Sequence, residues 1–201
     1  MKAMKIPYID CHSHRSSKNQ ETIVLKSHGI GIHPWNVESQ KEFQLNSKVP
    51  FIGEIGLDRF SSNFEKQKEV FIQQLYFAQN NHKTVVIHSV KAHNEVISAI
   101  KDLHFNELIL IHGFVGTIDE LKSYLKFNSL ISYGHALFNS PKTQESLKET
   151  PLDRLLLETD DQDEYKISDI YNKASDILGM NLEKLKAIIF ENYNKRLGDF
   201  K

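Results

Sequence analysis

Short apolar runs that alternate with amphipathic segments are the feature of this chain that most constrains its fold. Eight runs, most of them rich in Ile, Val or Leu, are candidate strands, at residues 6–9, 22–25, 29–32, 50–55, 84–87, 107–111, 129–132 and 154–157. Six segments with helical spacing lie after the fourth run, at residues 64–81, 92–103, 118–126, 142–148, 167–178 and 182–195. The runs show little polar alternation, which is typical of strands that are covered on both faces. Strands that alternate with helices predict a parallel sheet with right-handed crossovers.

An α/β fold with eight such strands predicts a closed (β/α)8 barrel of the TIM type, in which catalytic groups lie at the carboxyl ends of the strands. The N-terminal quarter departs from this pattern, because too few residues separate the first three runs for a crossover helix. We therefore expect the second and third strands to be shortened or locally antiparallel, and the barrel to be incomplete there. The length of 201 residues and the apolar content of 40% predict one domain over residues 1–201.

Charge and cysteine content narrow the class of protein. The formal net charge is −1, so no large basic surface indicates a nucleic-acid partner by charge alone. Apolar runs all fall short of the ~20 residues that a membrane helix needs. Cys11 is the single cysteine, which excludes an internal disulfide, and the first residues lack the apolar stretch of a secretory signal. We expect a cytoplasmic protein without membrane contact, and no obligate protein partner is evident.

Six side chains that can bind metal lie at the ends of apolar runs: His12, His14, Glu54, His88, His112 and Asp160. Residues two apart on a strand project from one face, so Asp10, His12 and His14 are expected to point the same way and Cys11 to point away. His88 and His112 end two runs of the same kind. This repetition favours a ligand pair, and the alternative is a hydrogen-bonded histidine at the edge of a core.

The ligand set predicts a centre with two divalent cations. A carboxylate at Glu54, in a segment with Gly53 and Gly56, can bridge two cations. We expect one cation between His12, His14, Glu54 and Asp160, and a second between Glu54, His88 and His112. The cations would share a hydroxide that attacks a phosphate ester, and Asp160 would act as the general base. The alternative role of Asp160 is that of a helix N-cap. Histidine with carboxylate suits Zn, Mn or Fe, and weakly bound Mg is a further option.

These blocks together resemble the TatD-type metal-dependent deoxyribonucleases of the amidohydrolase superfamily. The matching blocks run in order along nearly the whole chain: Asp-Cys-His-Ser-His at 10–14, Gly-Ile-His-Pro at 31–34, Gly-Glu-Ile-Gly-Leu-Asp at 53–58, Ile-His-Ser at 87–89, His-Gly-Phe-Val-Gly at 112–116 and Glu-Thr-Asp at 158–160. The resemblance implies a barrel, a divalent metal centre at the same six positions and hydrolysis of nucleic acid, often from the 3′ end. It also implies that His33 lines the substrate site.

The periphery of the site departs from the family pattern. The chain has Val90 and Lys91 where the family commonly has an arginine and a small residue, and it has acidic residues at 161, 163 and 164 after Asp160 where a small residue and proline are usual. Such a run of acids should repel a polyanion unless cations offset it. Further candidates for substrate contact are Lys91, Trp35, which either stacks on a base or packs, and His135, which either reaches the site or makes a structural hydrogen bond.

Three functions stay open on these grounds. The first is a divalent-metal-dependent phosphodiesterase acting on DNA or a smaller phosphate ester. The second is a related metal hydrolase that cuts an amide or carboxyl-ester bond, because one barrel hosts many chemistries. The third is a non-catalytic metal-binding protein, which the retention of every inferred ligand disfavours.

Overall fold

The computed structural model describes residues 6–14, 22–26, 30–39 and 49–198. Within these residues seven strands are formed: β1 Tyr8–Ser13, β2 Thr22–Lys26, β3 Phe51–Asp58, β4 Thr84–Val90, β5 Ile109–Ile111, β6 Ser129–Tyr133 and β7 Leu155–Leu157. The α-helices of the same residues are α1 Phe64–Asn80, α2 His93–Asp102, α3 Ile118–Tyr124, α4 Ala136–Asn139, α5 Pro141–Glu149, α6 Ile167–Leu178 and α7 Leu182–Arg196. Short 3-10 turns lie at Pro34–Asn36 and Leu152–Arg154.

The described chain divides into two compact units. The first unit contains residues 6–14, 22–26, 113–121 and 131–198, and the second contains residues 30–39, 49–112 and 122–130. The single domain over residues 1–201 stays a prediction. Among the helices that the structure describes, none has both the length and the apolar character needed to cross a bilayer.

In the first unit, β1 pairs with β2 and β6 pairs with β7, both in parallel. Helices α6 and α7 pack against β1. The hydroxyl of Tyr171 on α6 accepts a hydrogen bond from the Ile9 amide at 3.1 Å and donates one to the Ile9 carbonyl at 3.0 Å. Apolar burial and these bonds hold the strand that carries His12 against the helical layer.

In the second unit, β3, β4 and β5 pair in parallel in that order, and α1 and α2 pack against β3 and β4. The strands approach closely at Gly56, where a Cβ would lie 1.9 Å from the carbonyl oxygen of His88. Gly56 also has a φ of 143°, a conformation that glycine adopts most easily. The glycine therefore allows β3 to carry Glu54 and Asp58 directly beside the end of β4.

The structure confirms the parallel pairing and the six predicted helices, with ends shifted by a few residues, and adds the short helix α4. Two predictions about the N-terminal quarter are wrong. The pairing of β2 with β1 is parallel, so the second strand is no antiparallel excursion. Residues 30–32 form no strand, and residue 29 lies outside the described residues. The reason is that the Gln74 side chain, in place of a neighbouring strand, bonds the amide and carbonyl of Ile32.

Candidate functional site

In the first unit, a carboxylate lies between two imidazoles. Strand β1 projects His12 and His14 from one face, and Asp160 Oδ1 lies 3.7 Å from His12 Nε2 and 3.5 Å from His14 Nε2. His12 is buried, whereas the side chain of His14 is 46% exposed, so the cluster opens towards solvent at His14. The approach of both imidazoles to one oxygen agrees with the prediction that His12 and His14 point the same way, and the predicted direction of Asp10 stays a prediction.

The backbone of Asp160 is held by β1. The Asp160 amide donates to the His12 carbonyl at 3.0 Å, and the His14 amide donates to the Asp160 carbonyl at 3.3 Å. Asp160 has a φ of 57°, a left-handed conformation that aspartate tolerates better than most residues. Helix α6 begins only at Ile167, so the alternative role of Asp160 as a helix N-cap is wrong. A strained backbone that its surroundings fix is typical of functional positions.

Asp10 and Thr159 form a second link between β1 and the segment of Asp160. Asp10 accepts hydrogen bonds from the Thr159 amide at 2.9 Å and from its hydroxyl at 2.7 Å. Burial raises the pKa of Asp10 to about 6, although both bonds from Thr159 oppose this shift. Asp10 thus serves to position the ligand-bearing segment.

Cys11 lies between Asp10 and His12 on β1, where the pairing with β2 has a register irregularity, so the prediction that it points away from His12 stays a prediction. The cysteine is fully buried, and its Sγ lies 2.9 Å from Ser132 Oγ and 3.8 Å from Glu158 Oε2. Burial and the nearby Glu158 raise the pKa of the Cys11 thiol well above its usual value. A thiol held in its neutral form is a poor nucleophile, so Cys11 belongs to the packing of this unit.

In the second unit, three imidazole rings lie close to one carboxylate oxygen. Glu54 Oε2 lies 3.1 Å from His112 Nε2, 3.6 Å from His33 Nε2 and 4.0 Å from His88 Nδ1. His88 Nδ1 is also 3.2 Å from His112 Nε2. The side chain of Glu54 is 8% exposed. We call Glu54, His33, His88 and His112 the Glu54 cluster.

The surroundings of His88 favour its neutral imidazole form. Burial, followed by the neighbouring His112 and His33, lowers the pKa of His88 to about 4. His88 is therefore uncharged at neutral pH, which is the form of imidazole that binds a metal.

Two buried glutamines of α1 bond the backbone of Ile32, next to His33, and of Asp58 at the end of β3. Gln74 accepts from the Ile32 amide at 2.6 Å and donates to the Ile32 carbonyl at 3.2 Å, which fixes the residue before His33. Gln67 accepts from the Asp58 amide at 2.8 Å and donates to the Asp58 carbonyl at 3.0 Å. The segment of His33 also lies close to β3, since a Cβ on Gly31 would be 2.8 Å from the carbonyl oxygen of Glu54.

Asp58 contacts both His88 and Trp35. Its Oδ2 lies 3.5 Å from His88 Nε2 and accepts a hydrogen bond from Trp35 Nε1 at 2.7 Å. Burial raises the pKa of Asp58, but hydrogen bonds from Trp35 and from the Phe60 amide outweigh it, so the net shift is downward. A carboxylate on the second nitrogen of a ligating histidine fixes the ring and its tautomer.

Both clusters fit a divalent cation. Two ligand atoms that each lie 2.0–2.1 Å from a tetrahedral zinc ion are about 3.3 Å apart. The imidazole-to-carboxylate distances are 3.5–3.7 Å in the first unit and 3.1–4.0 Å in the second. In the second unit, one carboxylate oxygen of Glu54 and one ring nitrogen each of His33 and His88 lie within 4.8 Å of one another. A buried carboxylate costs several kcal/mol unless a cation offsets its charge.

The remaining candidates for substrate contact lie in different places. Trp35 is 62% exposed, and its ring centroid is 4.7 Å from that of His33. Lys91 is exposed directly after β4. His135 is half-buried in the first unit and directly precedes α4. Each substrate role stays a prediction.

Comparison with known proteins decides the family. The sequence profile of the TatD related DNases matches residues 7–198. The chain belongs to the TatD family. An uncharacterized metal-dependent hydrolase from Haemophilus influenzae is 29% identical over 154 residues, covering 68% of this chain and 59% of that protein. The uncharacterized metal-dependent hydrolase YabD from Bacillus subtilis is 34% identical over 125 residues, covering 60% of this chain and 49% of that protein. The chain thus spans only about half to three-fifths of the length of these TatD relatives.

Solved structures show the same fold. The crystal structure of YjjV, a TatD homologue from Escherichia coli, matches with a TM-score of 0.76 at 22% identity, covering 90% of this chain and 78% of YjjV. A TatD-family hydrolase from Entamoeba histolytica matches with a TM-score of 0.72 at 21% identity, covering 88% of this chain and 75% of that protein. The predicted α/β fold of the TatD type is confirmed, and closure of the barrel stays a prediction.

Sequence reasoning missed two features of the site. His33 was expected to line the substrate site, yet its Nε2 lies among the possible ligand atoms of the Glu54 cluster. The two glutamines of α1 were not expected to have a role. Their spacing of seven residues places them on one helix face, and this is the one sequence signal that pointed to a shared buried environment.

Proposed function

We propose that this chain is a divalent-metal-dependent phosphodiesterase that acts on DNA. The observation that carries the proposal is the Glu54 cluster, in which a buried carboxylate faces three imidazole nitrogens at 3.1–4.0 Å. A structural ion pair needs one partner for a carboxylate, whereas a metal site needs several neutral donors around it. The pKa of about 4 for His88 supports the second arrangement.

The ligand roles divide between the two units. In the first unit, His12, His14 and Asp160 would hold a cation, and in the second Glu54, His88 and His112 would do so, with His33 close enough to take part. The bridging role of Glu54 stays a prediction. Divalent cations, when bound, supply Lewis acidity that neutralises phosphate charge and activates water.

Asp160 is the proposed general base. Its carboxylate is 27% exposed, so water reaches it, and the bonds of its backbone to β1 fix its direction. An oriented carboxylate that accepts a proton from the attacking water contributes about 10²–10⁴-fold to the rate. The side chains of His12 and His14 face the same oxygen of Asp160, at 3.7 Å and 3.5 Å.

DNA is the proposed substrate because of family membership, since the profile that matches this chain is described as TatD related DNase. A small phosphate ester or an amide is the second candidate. The observation that favours it is the exposed acidic run Asp161, Asp163 and Glu164 directly after Asp160, which repels a polyanion.

We propose a cytoplasmic location on the grounds of the single cysteine.

The test is the degradation of 3′-labelled single-stranded DNA with Mg2+, Mn2+ or Zn2+ added in turn. We expect stepwise shortening that depends on metal and is lost in Asp160→Asn. The matched control is Asp176→Asn, an exposed aspartate on α6, which should cleave at the rate of the unmodified protein. Shortening that persists in Asp160→Asn refutes the mechanism. No shortening with any metal, in protein that binds metal in calorimetry, rejects DNA and favours the small substrate.

A further inference from the structure

Trp35 and Phe60 are two of the exposed aromatic residues of the second unit. Trp35 is 62% exposed and Phe60 is 80% exposed. Single exposed aromatics are common and need no explanation. These two differ from isolated cases because one buried carboxylate accepts hydrogen bonds from the Trp35 side chain and from the Phe60 backbone.

Asp58 is the residue that joins the two aromatics. Its Oδ2 accepts from the Trp35 indole at 2.7 Å, and its Oδ1 accepts from the Phe60 amide at 2.8 Å. The side chain of Asp58 is 6% exposed, and Gln67 bonds its amide and its carbonyl. The indole and the Phe60 backbone are therefore held in fixed positions before any ligand arrives, which lowers the entropy lost on binding.

The same carboxylate lies beside His88, and Trp35 lies beside two imidazoles of the Glu54 cluster. Asp58 Oδ2 is 3.5 Å from His88 Nε2, and the Trp35 ring centroid is 4.7 Å from that of His33 and 6.1 Å from that of His88. The Trp35 ring meets both imidazoles at steep angles of 79° and 76°. Neither imidazole stacks in parallel on the indole, so the exposed part of Trp35 is available to a planar ligand.

Positive charge lies at the same strand ends. Lys91 is exposed and follows Val90, whose Cα pairs with that of Asp58 across β3 and β4. Within the part of the chain that the structure describes, Lys91 has no ion-pair partner. Arg59 lies 4.3 Å over the Phe64 ring and pairs with Glu95, so its charge is largely compensated. Lys91 is thus the cation available to a phosphate.

We propose that Trp35 and Phe60 form a stacking site for unpaired nucleobases, with Lys91 on the adjoining phosphate and Asp58 as the positioning residue. This site rests on the proposed function, since a nucleic acid must reach the Glu54 cluster. Aromatic faces stack on every base, so the site selects unpaired bases over paired ones and shows little sequence preference. Paired bases stay stacked on each other and present no free face to Trp35.

Trp35 is the single tryptophan of the chain, so the intrinsic fluorescence reports on this position alone. The first measurement titrates the Asp160→Asn protein, with Mg2+ present, against a thymidine oligonucleotide and against an abasic oligonucleotide of equal length and charge. We expect the thymidine oligonucleotide to quench Trp35 and to bind about 5- to 150-fold more tightly than the abasic one, which is the range for stacking one base on one aromatic. Equal affinity and equal quenching by the two oligonucleotides, or no binding of either, overturns the proposal.

The second measurement separates Phe60 from an aromatic that is merely exposed. Phe60→Ala should reduce the preference for the thymidine oligonucleotide by about 5-fold or more. Tyr76 on α1 is also 62% exposed, and Tyr76→Ala should leave the preference unchanged. Equal effects of the two substitutions contradict the assignment of Phe60. Quenching without cleavage of labelled DNA by the unmodified protein rejects the nuclease function alone, and cleavage without quenching rejects the stacking site alone.

Discussion

Replacing Gln74 with leucine tests the inference that a glutamine of α1 holds the segment of His33. Gln74 is fully buried, and its amide satisfies both backbone groups of Ile32, at 2.6 Å and 3.2 Å. Leucine has nearly the same volume and helix propensity, so Gln74→Leu leaves the helix intact and removes both hydrogen bonds. Ile32 is itself buried, so water does not replace them.

The expected loss follows from the two orphaned groups. A buried backbone donor or acceptor without a partner costs about 1–3 kcal/mol, which gives about 2–6 kcal/mol for the pair. The apolar side chain of leucine offsets about 1–2 kcal/mol of this by its own burial. We therefore expect Gln74→Leu to lower the free energy of unfolding by about 2.5 kcal/mol, within a range of about 0–5 kcal/mol.

Urea unfolding, followed by circular dichroism and by the fluorescence of Trp35, measures this loss. The matched control is Gln73→Leu, the same substitution at the neighbouring exposed position of α1, which should change the free energy by less than about 0.5 kcal/mol. A second readout is calorimetric metal affinity, which should fall in Gln74→Leu because Ile32 fixes the backbone next to His33. If Gln74→Leu and Gln73→Leu have equal stability, Gln74 does not hold this segment and the reasoning fails.

Three further substitutions test the second unit. Glu54→Gln should lower the metal affinity measured by calorimetry by more than about 100-fold, because residues that only hydrogen-bond to ligands already contribute about 10- to 100-fold. An unchanged affinity would show that Glu54 is not a ligand. Asp58→Asn should lower metal affinity by about 10- to 100-fold and shift the emission of Trp35, and a change in neither would show that the carboxylate does not orient its neighbours. Gly56→Ala should lower the free energy of unfolding by more than about 4 kcal/mol, because its Cβ would meet the His88 carbonyl at 1.9 Å. The control is Gly179→Ala, because Gly179 has a φ of 59° but open space around its Cβ position. A thermal melt should show that this change lowers the free energy of unfolding by only about 1–2 kcal/mol. Equal losses in the two variants would contradict the close approach of the strands at Gly56.

The strands that carry the ligands could be predicted because their signals are local. Unbroken runs of Val, Ile and Leu indicate covered strands, and the two-residue period of a strand predicted that His12 and His14 point the same way. The run at 30–32 has the same apolar character but forms no strand, because Gln74, more than forty positions later in the chain, bonds its backbone. A hydrogen bond between distant residues leaves no periodic trace, so sequence patterns did not reveal it.

The residues of the site also divide into those with a local sequence signal and those without one. Carboxylates and imidazoles at run ends were predictable, since parallel strands bring their carboxyl ends to one edge. The approach of His33 to Glu54 depends on the missing Cβ of Gly31 and on the bonds of Gln74, neither of which identifies a partner in sequence. The hydrogen bonds of Asp58 with the Trp35 indole and the Phe60 amide have no local sequence signal and required the folded geometry.

The position of Asp58 predicts that metal binding and base binding are coupled in this protein. One carboxylate oxygen faces both a possible metal ligand, His88, and the indole of Trp35. A base that stacks on Trp35 and fixes its hydrogen bond to Asp58 also restricts the orientation of His88. Metal on His88 in turn restricts Asp58 and hence the indole. Because coupling between two ligands is reciprocal, metal should tighten oligonucleotide binding by the same factor by which the oligonucleotide tightens metal binding. Asp58→Asn should reduce both factors together, whereas Gln74→Leu, which acts through His33, should weaken metal binding without removing the coupling.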